Sequence, residues 1–190
     1  MEILIIMGPP YSGKGTQCEV LKNKLGYKHI STGDRCRLEK NQKTEIGLIM
    51  SQYEENGDLV PDQIMKDLFS KILDENIQNK GIILDGYPRT IPQVNDLLEL
   101  VDSKKLSISK VLNIEVPFKE LLKRASKRAE TSDRKDDKDS EIHLKRIRVF
   151  EELTLPAINY TKALVSVTNF NGMGQIEDIT QEILNNLQQS

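Results

Sequence analysis

The sequence predicts an α/β protein: a doubly wound, five-stranded parallel sheet with helices on both faces. Three observations predict it. Five short apolar runs recur along the chain, at residues 3–7, 29–31, 81–84, 110–116 and 163–168. Segments with helical periodicity separate them, so strand and helix alternate throughout. Four of the runs are rich in Ile, Val and Leu, as strands covered on both faces require.

The elements follow in order. The first strand begins almost at Met1 and runs into the glycine-rich stretch GPPYSGKGTQ at residues 8–17. Helix one starts inside that stretch and runs to about Leu25, with Gly26 ending it. The second strand is weak in composition and is assigned from its place in the series. Residues 32–79 are too long for a single crossover; they hold several amphipathic helices, broken by NGDLVPD at residues 56–62. Pro61 suits the start of the next helix, with Asp62 in the first turn near its positive end. Further helices are expected over residues 90–101, 117–130, 140–162 and 175–188. The most charged stretch, RAETSDRKDDKDSE from Arg128, reads as a loop between two of them.

Bulk composition excludes several function classes. A chain of 190 residues has the size of one domain with a real core. Hydrophobic residues at 37% and charged residues at 29% describe an ordinary folded protein. Its 27 basic and 29 acidic residues give a net charge of -2, which argues against broad nucleic-acid or membrane-surface binding. No apolar run has transmembrane length. The first strand starts so early that no leader is expected, so the expected setting is cytoplasmic. Cys18 and Cys36 lie far apart, with no CxxC pair and no neighbouring histidine, and read as reduced structural thiols. His29 and His143 are equally isolated in sequence and receive no catalytic role.

The chemistry begins at Gly8. Gly8-Pro-Pro-Tyr-Ser-Gly13-Lys14 fits G-x-x-x-x-G-K, between an apolar strand and a helical pattern. Such a loop turns backbone N–H groups inward around a polyphosphate, and the helix behind it presents its positive end. Lys14 adds a point charge for the β- and γ-phosphate oxygens. This places the fold with the P-loop NTPase type. A Ser or Thr usually follows the lysine to ligate magnesium; here Gly15 stands there and Thr16 comes one residue later. The form GKGTQ is that of nucleoside monophosphate kinases, and the chain resembles the adenylate kinase family from this point on.

The resemblance extends over essentially the whole chain, with its motifs in order. STGDRCR at residues 31–37 is similar to the family segment at the monophosphate site. It implies Thr32 and Gly33 against the acceptor base and Arg37 on its phosphate; read alone, it is a strand-to-helix turn with Thr or Asp as N-cap. ILDGYPRTIPQ at residues 83–93 is an apolar strand ending in an acid. There Asp85 is expected to hold Mg2+ through water at the carboxyl end of the sheet. The resemblance also implies Arg89 on the acceptor phosphate, Gly86, Tyr87 and Pro88 beside it, and Gln93 on adenine. ETSDRKDD resembles the family's short lid, which reads ETSGRxDD. Arg128 then matches the lid arginine on ATP, and Arg134 and Arg146 those bridging the transferring phosphates; Arg124 and Arg128 share a helix face. GDLVPD implies Asp58, Leu59 and Val60 along the acceptor base, and NGMGQIED implies Gly174 beside the ATP base. Tyr11, Ser12, Gly13, Lys14, Gly15 and Thr16 complete the ATP side.

Taken together, the resemblance implies a monomeric, Mg2+-dependent transfer of phosphoryl between ATP and AMP giving two ADP. Its expected division is a core of residues 1–31, 61–127 and 138–190, an acceptor lobe of 32–60 and a lid of 128–137. The lid is short and lacks cysteine, so no structural zinc is expected. Thr32 and Thr90, where UMP/CMP kinases usually carry alanine and asparagine, favour AMP over those acceptors. A P-loop protein that binds nucleotide without turnover is the other alternative. Departures from the family pattern are Tyr11 for a common glycine, Arg35 for an apolar residue, Asp133 for the lid glycine, and one apparent insertion between Asp137 and Arg146. Tyr11 is expected at negative φ on the loop crest, its ring turned from the phosphates toward the acceptor site or the lid arginines, where it could stack on a guanidinium.

Overall fold

Alternate residues of the first strand feed two different cores. A computed structural model describes residues 1–131 and 138–188. In it β1 (Glu2–Met7) sends Ile3, Ile5 and Met7 to one face and Leu4 and Ile6 to the other. Side chains alternate along a strand, so a strand buried on both sides must be apolar at every position. The remaining strands are β2 (Lys28–Ser31), β3 (Gly81–Asp85), β4 (Ser107–Glu115) and β5 (Val167–Asn171). They pair in the order β2-β3-β1-β4-β5, and every pairing is parallel. The weak second strand is real, with Ser31 in register with Asp85.

Helices cover both faces. One core joins α4 (Asp62–Asn76), α5 (Ile91–Ser103) and α8 (Leu155–Leu164) to the sheet through residues such as Phe69, Leu97 and Ile158. The other seats α1 (Lys14–Leu25) and α9 (Ile176–Gln188) through Cys18, Leu21, Ile179 and Ile183. Gly26 ends α1 in the left-handed conformation, its N–H donating to Lys22 O. α6 (Phe118–Thr131) and α7 (Ser140–Val149) flank residues 132–137, so expectations about Asp133 and Arg134 lie outside the described residues. Among the described residues no helix is long and apolar enough to cross a membrane.

Two expectations are corrected. The fifth strand begins at Val167 rather than at 163, because Ala163 and Leu164 complete the last turn of α8. A short apolar run cannot by itself distinguish a helix end from a strand start. The single helix expected over 140–162 is interrupted by a π-helical turn, Phe150–Thr154. Pro156, in the first turn of α8, has no N–H to donate backward, and the wider hydrogen-bond register falls just ahead of it.

Between β2 and α4 stand α2 (Thr32–Asn41) and α3 (Glu45–Glu55), packed on one another. Ser31, rather than Thr32 or Asp34, caps α2: its Oγ accepts from the Asp34 N–H. Gly47 lets the two helices meet, since a Cβ there would lie 2.2 Å from the carbonyl carbon of Glu39. Gly47→Ala is therefore expected to cost about 1–3 kcal/mol, as overpacking does. A urea midpoint unchanged from the parent would contradict this close approach. Arg35, in place of an apolar residue, pairs with Glu39 and bonds both oxygens of Glu75, tying α2 to α4.

Candidate active site

The carboxyl ends of β1, β2 and β3 deliver three loops to one cleft of about 490 Å³. The loop after β1 supplies Tyr11, Ser12, Gly13, Lys14, Gly15 and Thr16 to its wall. The turn after β2 supplies Thr32, Gly33 and Arg37, and the segment before α4 supplies Asp58 and Leu59. The end of β3 supplies Asp85, Gly86, Pro88 and Arg89, while Arg128 of α6 and Arg146 of α7 close the remaining side. An adjoining cavity of about 40 Å³ is lined by Val60 and Gln93, together with Thr32, Asp58 and Arg89. Tyr87 and Gly174 line neither cavity. The Tyr87 ring is buried and stacks on Phe69, with 3.7 Å between centroids. Gly174 lies beyond β5, against Ile179.

Lys14 is half-buried, and its ammonium donates to the carbonyls of Gly8 at 2.8 Å and Pro9 at 2.7 Å. Its lost hydration lowers its pKa to about 8; Asp85 opposes that shift, while Arg89 and Arg128 reinforce it. Burial pushes the Asp85 carboxyl upward, but His29, Lys14 and Arg89 outweigh it and hold it below the ordinary carboxylate value. Asp85 is thus an ionised carboxylate beside the phosphate loop, and a Cβ on Gly15 would sit 3.7 Å from its Oδ2. That donor set fits a hard divalent cation held through water, with Thr16 in the same cleft.

The part of the cleft around Thr32, Gly86 and Arg89 is braced by its own hydrogen bonds. The Thr32 hydroxyl lies 3.2 Å from Asp85 O and 3.1 Å from Gly86 O, either of which can accept its proton. Gly86 has φ 84, and a Cβ there would lie 2.4 Å from Thr32 Oγ1. Arg89 Nε donates to Gly86 O at 2.6 Å. The buried Gln93 amide accepts from the Arg89 N–H at 2.8 Å and donates to Asp62 Oδ1 at 2.8 Å. Arg37 pairs with Asp34 and stands 3.9 Å from Glu54, another residue of the cleft.

Sequence reasoning missed several partners. His29 is not isolated: Nδ1 is 2.7 Å from Glu19 and Nε2 is 3.4 Å from Asp85. Burial disfavours its charge, yet the two carboxylates outweigh burial and raise its pKa. Cys18 also has a histidine neighbour, since ligand atoms of Cys18, His29 and Asp85 lie within 4.8 Å of one another. Arg124 uses its guanidinium to bond Ser12 O at 3.3 Å and Gly172 O at 2.9 Å, joining the phosphate loop to the end of β5. Lys145 of α7 pairs with Asp58 at 2.7 Å. Tyr11 departs furthest from expectation: its φ is +66, and its hydroxyl lies 2.5 Å from His143 Nδ1. That hydroxyl also lies 3.5 Å from Arg146 Nη1. The loop needs a left-handed residue at its crest to aim successive N–H groups inward, so backbone geometry overrides side-chain preference there.

A parallel α/β sheet with a phosphate loop after its first strand and an acid at the end of a neighbouring strand defines a P-loop nucleotide-binding protein. A family model described as "Adenylate kinase" matches residues 6–165. Similar proteins named "Adenylate kinase" include one from Bacteroides fragilis, 39% identical over 180 residues, covering 95% of each chain. One from Parabacteroides distasonis is 39% identical over 187 residues, covering 97% of this chain and 98% of its own. Another from Leptospira biflexa is 38% identical over 187 residues, covering 98% and 100%. The chain belongs to the adenylate kinase family, and it is a kinase that transfers phosphoryl groups between nucleotides.

Proposed function

We propose that the chain catalyses the reversible, Mg2+-dependent reaction ATP + AMP ⇌ 2 ADP, as a monomer in the cytoplasm and without structural zinc. One observation carries the reading: a single cleft is lined both by the phosphate loop and by Thr32, Gly33 and Arg37, with Arg89 and Arg146 also on its walls. ATP would lie on residues 11–16, Arg128 and Gly174, and AMP on Thr32, Gly33, Arg37, residues 58–60, residues 86–89, Gln93, Arg134 and Arg146. In this reading residues 32–60 are the acceptor lobe, 128–137 the lid, and residues 1–31, 61–127 and 138–190 the core.

The acceptor phosphate is already an anion, so no side chain needs to remove a proton. Catalysis then rests on holding the two nucleotides in line and on neutralising charge at the transferring group. Lys14, Arg89, Arg128, Arg134 and Arg146 would supply that neutralisation, arginines through paired N–H donors. Mg2+, when bound through Asp85, supplies further charge neutralisation and orients the phosphates.

A coupled assay with ATP and each of AMP, CMP, UMP and GMP tests the reading. AMP is expected to turn over fastest. Faster turnover of UMP or CMP would make the chain a pyrimidine nucleotide kinase, and no turnover with any acceptor would make it a nucleotide-binding protein without this activity.

Lys14 sets a pH dependence. Phosphate favours the ammonium, so binding raises its pKa above the value of about 8 in the free site. ATP affinity is therefore expected to be flat below pH 8 and to fall by about tenfold per unit above it, readable by calorimetry. Folding has the opposite sign. From about 8 to the ordinary 10.5 the unfolded chain holds a proton that the folded chain has lost, so the cost of desolvating Lys14 is lifted as pH rises. An ATP affinity unchanged from pH 7 to 9.5 would rule out this linkage.

A further inference from the structure

Tyr11 is a bulky residue at a left-handed position, where a glycine would sit without strain. Such an outlier persists only where its surroundings hold it. Among the described residues its side chain meets α7. The hydroxyl lies 2.5 Å from His143 Nδ1, and the two rings meet edge-on at 5.2 Å between centroids. Arg146, one turn further along the same helix face, donates Nη1–H toward that hydroxyl at 3.5 Å.

A consistent proton assignment follows. An arginine can only donate, so the tyrosine oxygen accepts from Arg146, and with the His143 tautomer that leaves Nδ1 bare the hydroxyl gives its own proton to Nδ1. The imidazole then carries its proton on Nε2, which is buried with no hydrogen-bond partner among the described residues. His143 is 4% exposed, so its ring is fixed by packing and by this one bond. The same helix reaches the opposite wall of the cleft. A Cβ on Gly57 would lie 3.3 Å from Ile142 and 3.4 Å from Arg146, and Lys145 pairs with Asp58.

We propose that Tyr11 and His143 are positioning residues for phosphoryl transfer: their hydrogen bond seats α7 on the crest of the phosphate loop and holds the Arg146 guanidinium over the transferring phosphates. This rests on the reaction proposed above. The pair touches no reacting atom; it acts through Arg146. Its contribution falls on the step in which Arg146 meets developing charge, rather than on nucleotide capture by the loop amides, which Tyr11 retains.

The test is a double-mutant cycle. Tyr11→Phe keeps the ring and its edge contact but removes the hydroxyl, and His143→Leu removes the acceptor. Each is expected to lower kcat by about fivefold to tenfold, the scale of one hydrogen bond, with KM for both nucleotides within about twofold. The double variant is expected to be no slower than either single. His143→Asn, which keeps an acceptor near the Nδ1 position, is expected to retain most of the parental kcat. Additive losses, an unchanged kcat in Tyr11→Phe, or a raised KM at constant kcat would each overturn the proposal. Hydrogen exchange in the ligand-free protein separates this idea from the reaction itself. The amides of α7 are expected to exchange about fivefold faster in Tyr11→Phe, and equal protection would refute the seating even if the parent shows no turnover.

Discussion

Lys14→Ala is expected to lower kcat/KM by about 10²–10³-fold, with kcat carrying most of the loss. Lys14 is the cation of the phosphate loop itself, held 2.7–2.8 Å from two of its carbonyls. Those carbonyls are weak partners for a charge that phosphate would pair with fully, so the ammonium is poised to move onto ligand. Alanine leaves the loop amides in place, and nucleotide should still bind, although less tightly. The fold should not suffer, because the substitution removes a charge that burial already disfavours. Steady-state kinetics and thermal melting together check the claim. A variant within tenfold of the parent, or one that melts far below it, would show that Lys14 serves the loop's structure and not its chemistry.

Arg89→Ala is expected to cost at least about a hundredfold in kcat/KM, with AMP affected more than ATP. Arg89 lines both cavities, and its Nε is anchored to Gly86 O at 2.6 Å. In the proposed reaction that anchor would leave the terminal amino groups to grip an acceptor phosphate bidentately, which lysine could not reproduce. Arg89→Lys is accordingly expected to recover little of the rate. Equal losses toward ATP and AMP would move Arg89 from the acceptor side to the shared centre of the reaction.

Most of the fold was legible because its signals are local. The phosphate loop is a contiguous string, and the alternation that buries Ile3, Ile5 and Met7 against Leu4 and Ile6 follows from a backbone period of two. Gly26 as a helix stop needed only its left-handed φ. What the sequence did not disclose is which distant residues meet. Periodicity names a face but not its partner, so Tyr11 and His143, 132 positions apart, or Asp58 and Lys145, 87 apart, gave no sign of one another. His29 read as isolated for the same reason, although the register of β2 with β3 brings it beside Asp85. A motif match also transfers position without side-chain direction. Tyr87 belongs to the matched string, yet its ring is turned into the core against Phe69. One signal was available and unused: Pro156 inside a long helical pattern announces a change of register just before it.

The burial of the two cysteines has a consequence for chemical durability. Cys18 and Cys36 are both free and both buried. Lost hydration is the leading cause in each case: it drives the Cys18 thiol far above its ordinary value, with Asp85 adding to the shift, and pushes Cys36 up to about 12. Oxidants and electrophiles attack the thiolate, and at neutral pH these thiols supply almost none. The sulfur nearest the phosphate loop is therefore shielded twice, by lack of access and by a tightly held proton. Peroxide that attacks thiolates would find almost none at either sulfur.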